Sequence, residues 1–270
     1  MVRSVAAYRY YAGSVLTLLT RFHNPLRMVR LFLHRSRLEI QEISLRPSGP
    51  RYLVRSKMDI WSVKESAADR FYEHFGFLLE SGWTIVDVGA ALGEFAIYAA
   101  TKFPDSQVLA FEPFPQSFDL LKQNISLNDI KNVAAYQKAL SSEKGTLMLD
   151  VDGGEPLMME TGMQAEGDRV QLPVESITLA EVVASTNGGR IDFLKLDCEG
   201  AEYDILLKAT PETLLCIDRI VMEYHDHLMD LKHPALVACL TDAGYAVEVF
   251  PNIVYPDVIG YLRAIRSTTP

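Results

Sequence analysis

Five apolar segments, "TIVDVG" from Thr84, "QVLAFE" from Gln107, "VAAYQKAL" from Val133, "IDFLKLD" from Ile191 and "RIVMEYH" from Arg219, alternate with stretches of helical periodicity. Near-continuous apolar strands are buried on both faces, and strands joined through helices run mostly parallel. The sequence therefore predicts an α/β fold, a doubly wound and mostly parallel sheet. Helices are expected over Gly93 to Lys102, Gln116 to Leu127, "AEYDILLKA" and Ala235 to Ala243, and "YAVEVF" and "GYLRAIR" read as closing strands. Residues 140 to 175, rich in Gly and Met, read as a hairpin or a lid. Sheets of this class bind ligands at the carboxyl ends of their strands, where the strand order reverses.

Residues 1 to 64 read as an extension ahead of a main domain spanning 65 to 270. In "NPLRMVRLFLHR", Asn24 is an expected N-cap, Pro25 opens a helix, and Leu26, Val29 and Leu33 share one face. Two short strands follow, near Leu38 to Leu45 and Arg51 to Arg55, across the turn "RPSGP". A helix is expected from Glu65 through Ala68, Phe71, Tyr72, Phe75 and Leu79.

The net charge of −9 is unevenly placed. Residues 1 to 38 hold Arg3, Arg9, Arg21, Arg27, Arg30, Arg35 and Arg37 and no acid, which leaves −16 for the rest. An acidic body argues against nucleic acid as a partner. The basic arm either packs on the domain or makes peripheral contact with a membrane. No apolar run is long enough to span a bilayer, and Val15 to Leu19 is too short for a signal-peptide core. Cys198, Cys216 and Cys239 are odd in number and lack metal-ligand spacing, so a cytoplasmic location is expected.

"VDVGAALGEF" follows the first strand and opens a helix, with Gly89 and Gly93 bounding the turn. Glu112 ends the next strand, where an acid can accept both hydroxyls of a ribose. A pyrophosphate would meet Asp87 before the turn and Glu94 in the first helical turn. A cofactor carrying an ammonium and a sulfonium, S-adenosyl-L-methionine, suits this charge better.

Together "VDVGAALGEF", "FEPFPQSFDLLKQNI", "KLDCEGAE" and "VMEYH" resemble the FkbM family of S-adenosylmethionine-dependent methyltransferases, of class I, Rossmann-like fold. "NPLRMVRLFL" and "MDIWSVKES" also resemble its N-terminal segments. The resemblance implies methyl transfer to a hydroxyl of a small metabolite or sugar. By position, Asp87 and Gly89 are expected to border the methionine part, Glu112 to hold the ribose, and Ala139 and Leu140, with Ser141 or Ser142, to line the adenine, while Ala91, Gly93, Pro113, Asp197 and Glu199 are further expected cofactor contacts. Asp59, Trp61 and Glu65 are expected to cover cofactor or substrate, with ordinary packing the alternative for Trp61. Many relatives carry Asn where this chain has Ala91.

A hydroxyl is a poor nucleophile until its proton is taken by a base or its pKa is lowered by a metal. In one arrangement Asp197 and Glu199 orient the cofactor and acceptor while His225 takes the proton. In the other, Asp197, Glu223 and His225 hold a divalent cation, and the metal-free base is the favoured reading. Asp197 and Glu199 share a face if their strand persists to Glu199, and Glu202 is expected to cap the following helix. His227 and His233 read as loop residues and Cys198 as a small buried hydrophobe. The competing functions are a nicotinamide-dependent oxidoreductase on the same sheet and a non-catalytic, membrane-docked binding module.

Overall fold

The computed structural model describes residues 5–33, 39–76, 78–152, 155–156 and 170–267. Two helices, α1 (Val5–Arg21) and α2 (Pro25–Leu33), lead into the hairpin β1 (Gln41–Ser44) and β2 (Arg51–Val54) and then α3 (Lys57–Val63). The chain next alternates: β3 (Thr84–Val88), α4 (Glu94–Lys102), β4 (Gln107–Phe111), α5 (Pro115–Leu127) and β5 (Val133–Tyr136). Strands β6 (Ala139–Leu140), β7 (Gly145–Asp152), β8 (Glu155–Pro156) and β9 (Val170–Ile177) form a separate four-stranded sheet. Alternation resumes with α6 (Leu179–Ser185), β10 (Phe193–Leu196), α7 (Ala201–Leu207), α8 (Pro211–Leu215), β11 (Arg219–His225), α9 (His233–Asp242), β12 (Tyr245–Pro251) and β13 (Ile259–Arg266).

The main sheet has the order β12-β13-β11-β10-β3-β4-β5 and is parallel except for β13, which runs antiparallel to both neighbours. From β3 the chain builds outward to β5, then returns to β10 on the other side. The order reverses between β3 and β10, which opens a crevice at their carboxyl ends.

Each face carries one apolar cluster. On one side Ile85, Phe95, Ile97, Leu121 and Phe193 share a core with Leu18, Phe22, Met28, Tyr52, Val54 and Ile60 of the N-terminal elements. On the other side Val86, Leu109, Leu194, Leu206, Ile220 and Leu236 pack together.

Several expectations are corrected. No helix runs on from Glu65: α3 widens into a π-helical turn over Lys64–Ala68, and Arg70, at φ 56°, breaks the chain before a short 3-10 helix, Phe71–Phe75. In α2, Leu26 is exposed and Met28 buried, because the helix seats itself by the latter. The segment from Val133 divides, since Ala139 and Leu140 leave the main sheet to pair with β9. Residues 140 to 175 contain the expected hairpin, β7 against β9. Residues 157–169, Leu38, Arg3, Arg35 and Arg37 lie outside the described residues.

Gly89 fixes the crevice. Its φ is +73°, and a Cβ there would lie 1.8 Å from the Asp197 carbonyl oxygen. Gly89→Ala is expected to destabilise the fold by about 2 kcal/mol or more in urea denaturation. Gly82→Ala, also at positive φ but facing open space, is expected to cost about 1 kcal/mol.

Candidate active site

At the reversal point, β10 carries a lysine within an apolar strand. Lys195 is 2% exposed, and a charge so placed needs partners. Its Nζ lies 2.9 Å from Asp87 Oδ1 and 3.9 Å from Asp197 Oδ2. It donates to the Gly89 carbonyl at 2.9 Å. Burial opposes the ammonium, but the charges of Asp87, Asp197 and Glu94 outweigh it and raise the lysine pKa. The Tyr72 hydroxyl donates to Asp197 Oδ2 at 2.9 Å. Neither Lys195 nor Tyr72 was among the expected site residues, although a lysine amid "FLKL" was a readable signal.

Glu112 is also tied to the glycine turn. Its oxygens accept from the backbone amides of Ala91 at 2.8 Å and Phe114 at 2.9 Å. Burial pushes its pKa up to about 7, against these two amides and the charges of Lys195 and Arg55. Ala91 sits at φ 44°, a region that Asn tolerates better than Ala. Pro113 is half-buried between Glu112 and the start of α5. Ala139 and Leu140 are buried in β6, and the Ser141 hydroxyl and the Ser142 amide both bind Asp204.

The strand ends at Leu196, so Asp197 and Glu199 do not share a strand face as expected. Glu199 instead takes φ 53°, and both side chains still reach one cavity. Glu202 holds this loop from α7: its carboxylate accepts from the amides of Cys198 and Gly200, each at 2.8 Å. It also binds His225 Nδ1 at 3.2 Å. The helix-capping role expected of Glu202 is thus extended to the histidine.

His225 Nε2 lies 3.5 Å from Glu199 and 3.7 Å from Glu223. Burial disfavours its charge, yet the hydrogen bond to Glu202 and the charges of Glu202, Glu199 and Glu223 push its pKa up to about 10. The surrounding carboxylates thus favour the imidazolium over the neutral ring. Burial pushes Glu199 up to about 7 despite His225. Glu223 is driven well above the ordinary carboxylate range by burial and by Asp197, with His225 opposing and Glu65 and Glu199 adding. His233 begins α9 and pairs with Asp226 at 2.7 Å, while His227 is exposed. Cys198 is half-buried, with its thiol raised by burial and by Glu202. Among the described residues, no group of three His, Cys, Asp or Glu side chains is arranged to hold a metal ion.

Asp197, Glu199 and Glu223 open onto a cavity of about 650 Å³. Its walls include Tyr10 and Tyr11 of α1, Trp61 of α3, and Phe250 and Tyr261 of the β12–β13 hairpin. Glu65 lines it too and accepts a hydrogen bond from the Tyr10 hydroxyl. Asp59 is not part of this lining; it accepts from the Arg55 backbone amide at 2.7 Å and pairs with the Arg55 guanidinium. Lys64, 1% exposed, fastens α1 in place: its Nζ donates to Ser14 at 2.7 Å and pairs with Asp69 at 2.8 Å, 4.4 Å from the Trp61 ring centre.

The sequence pattern of the methyltransferase FkbM domain matches residues 87–247. This chain belongs to the FkbM methyltransferase family. The FkbM-type chain is 31% identical over 246 residues to methyltransferase sdnD of Sordaria araneosa, covering 80% of this chain and 93% of that one. It is 28% identical to 31-O-demethyl-FK506 methyltransferase FkbM of Streptomyces tacrolimicus, over 76% of this chain and 88% of that one. It is 26% identical to hexuronic acid methyltransferase AglP of Haloferax volcanii, over 65% of this chain and 70% of that one.

For this FkbM-family enzyme the Lys195–Asp87 pair ties β10 to β3. Lys195→Met strands the Asp87 charge and is expected to lower stability by about 3 to 5 kcal/mol. Adding Asp87→Asn should recover most of that loss in the same denaturation experiment.

Proposed function

We propose that the protein is an S-adenosyl-L-methionine-dependent O-methyltransferase acting on a hydroxyl of a small metabolite or sugar. The observation that carries this reading is the aromatic-walled cavity whose floor is Asp197, Glu199 and Glu223, at the crevice beside the glycine turn. Aromatic faces suit the apolar faces of rings, and the carboxylates suit hydroxyl donors. The names of the FkbM and AglP relatives, one acting on 31-O-demethyl-FK506 and one on hexuronic acid, support a hydroxylated acceptor.

The residues present fit the cofactor. Asp87 is fully buried, with Oδ1 paired to Lys195 at 2.9 Å and Oδ2 without a hydrogen-bond partner, and an ammonium donor would satisfy the latter. Glu112 has spent one acceptor position per oxygen on backbone amides, which leaves positions for ribose hydroxyls. The cofactor supplies a methyl group on a sulfonium. Asp197, steadied by Tyr72, orients the reacting groups. His225 lies behind Glu199 and Glu223, outside the cavity wall, and already carries its proton. We therefore assign the proton-accepting role to Glu223, which faces the cavity, and make the imidazolium its counter-charge.

Glu223→Gln is expected to slow methylation roughly 10²-fold or more. The parent rate should climb with pH, because Glu223 works ionised and its pKa is raised. Exhaustive chelation should leave the rate unchanged, and magnesium-restored activity would reinstate the metal arrangement. Glu112→Ala should bind S-adenosyl-L-methionine at least about tenfold more weakly by calorimetry.

A second reading concerns α1 and α2, whose outer side exposes Tyr8, Val15, Leu16, Leu19 and Leu26 beside Arg9, Arg21, Arg27 and Arg30. Among the described residues no helix is long and apolar enough to cross a membrane. We place the enzyme in the cytoplasm, where its three free cysteines stay reduced, with this side docking on anionic lipid. Sedimentation with vesicles containing phosphatidylserine should show binding that weakens as salt rises. Equal binding to neutral phosphatidylcholine, or none to either, would remove the membrane from the account.

A further inference from the structure

The cavity wall built by α1 and α3 carries a carboxylate that methyl transfer does not use. Glu65 lies in the π-helical turn after α3 and lines the cavity together with Tyr10, Tyr11 and Trp61. Those three rings touch pairwise, with centroids 5.6 Å apart for Tyr10 and Tyr11, 6.0 Å for Tyr10 and Trp61, and 6.2 Å for Tyr11 and Trp61. The Tyr10 hydroxyl donates to Glu65 Oε1 and fixes the carboxylate against the rings. Lys64, its neighbour in sequence, is spent on Asp69 and Ser14, and among the described residues no lysine, arginine or histidine forms an ion pair with Glu65.

Aromatic faces carry the negative part of a quadrupole, so rings grouped beside a carboxylate attract an ammonium in preference to a neutral or anionic group. Two of these rings already do so: Lys64 Nζ, which stays outside the lining, lies 4.4 Å from the Trp61 ring centre and 4.8 Å from that of Tyr10. The other charges of the lining act in the same sense. Glu65, Asp197, Glu199 and Glu223 face one lysine there, Lys57, which is exposed. His225 stands 3.5 Å from Glu199 and 3.7 Å from Glu223 and is shared with Glu202, and the sulfonium of the cofactor offsets one charge more. An anionic acceptor would be repelled and a cationic one drawn in. Burial raises the Glu65 pKa against the Tyr10 hydrogen bond, the charge of Lys64 and the Trp61 hydrogen bond, and a cation beside it favours the ionised form.

We propose that Glu65 and the rings of Tyr10, Tyr11 and Trp61 hold a protonated amine of the acceptor, which is therefore a hydroxylated ring bearing an ammonium, as in an amino sugar. This rests on the methyl-transfer reading above and names the acceptor class within it. Glu65 and Glu223 bound the same cavity and act on each other's charge, which places a hydroxyl at Glu223 while the amine is held at Glu65. The ammonium has no lone pair and is not methylated. The methyl group leaves sulfur for the hydroxyl oxygen, whose proton passes to Glu223.

The test uses 6-amino-6-deoxyglucose, glucose and glucuronic acid, which share one ring and carry at one carbon an ammonium, a hydroxyl or a carboxylate near pH 7. Saturation-transfer titrations against the full chain loaded with S-adenosylhomocysteine rank their affinities. The amine is expected to bind at least about tenfold more tightly than glucose, with glucuronic acid the weakest. In Glu65→Gln that preference should fall to about twofold or less, while S-adenosylhomocysteine binds as it does to the parent in calorimetry. Tyr11→Leu, which takes one ring from the cage and leaves Glu65, should cut the preference at least about threefold, and it decides the matter if Glu65→Gln does not fold. No preference for the amine in the parent, including no detectable binding of any of the three sugars, or a preference that survives in Glu65→Gln, would overturn the proposal and leave the cofactor assignment standing. Weaker S-adenosylhomocysteine binding in Glu65→Gln would give the carboxylate to the cofactor and overturn it equally. Failure of S-adenosylhomocysteine to bind the parent would overturn both.

Discussion

A lysine almost without water contact holds the centre of this molecule. Lys195 lies where β10 meets β3, and its three near oxygens belong to Asp87, Asp197 and the Gly89 carbonyl. Such a charge is tolerable only with its partners in place. The carboxyl ends of the two strands are therefore drawn to one point, and the Gly89 and Asp197 backbones approach so closely that no side chain fits between them. Glu112 then ties the same turn to β4 through the Ala91 amide. The crevice is shaped by electrostatics first, with apolar packing on either face supporting it.

The N-terminal elements complete what the sheet begins. Tyr10 and Tyr11 come from α1 and Trp61 from α3, yet they face carboxylates that issue from β10 and β11. Buried Lys64 sets their spacing by binding both the helix and the loop beyond it. The sheet with its glycine turn shapes the crevice, while the aromatic wall of the cavity is supplied by sequence far outside it. This division suits a family whose relatives carry names with very different acceptors.

Much of this was readable in the chain. Unbroken apolar strands marked the parallel sheet because burial on both faces leaves no room for polar alternation, and Glu112 was recognisable from its place at a strand end. The region after α3 was not readable. Ala68, Phe71, Tyr72, Phe75 and Leu79 have helical spacing, but Asp69 and Arg70 turn the chain, and those aromatics pack against each other and Tyr261 instead. The cavity wall was equally hidden, since Tyr10 meets Glu65 across 55 residues and no local pattern encodes such a contact. Leu26 was misplaced for a related reason: periodicity identifies an apolar stripe, whereas the tertiary partner selects which residue beside it becomes the anchor. The state of His225 also depended on tertiary structure, because its protonation follows from carboxylates on three different segments.

The π-helical turn at Lys64–Ala68 bears on how such an enzyme diversifies. A π turn holds one more residue than the α-helix allows, so the extra length is taken up within the winding. Here it follows Trp61, which faces the cavity, and itself contains Ala67, which is buried in the core. Removing one residue would restore α-helical winding and rotate α3, which carries Trp61, by roughly 100° relative to the chain that follows the turn. The lining of the cavity would then change register through a single-codon deletion, leaving Asp197, Glu199 and Glu223 untouched. The shape of this cavity is thus open to change in steps of length as well as of identity.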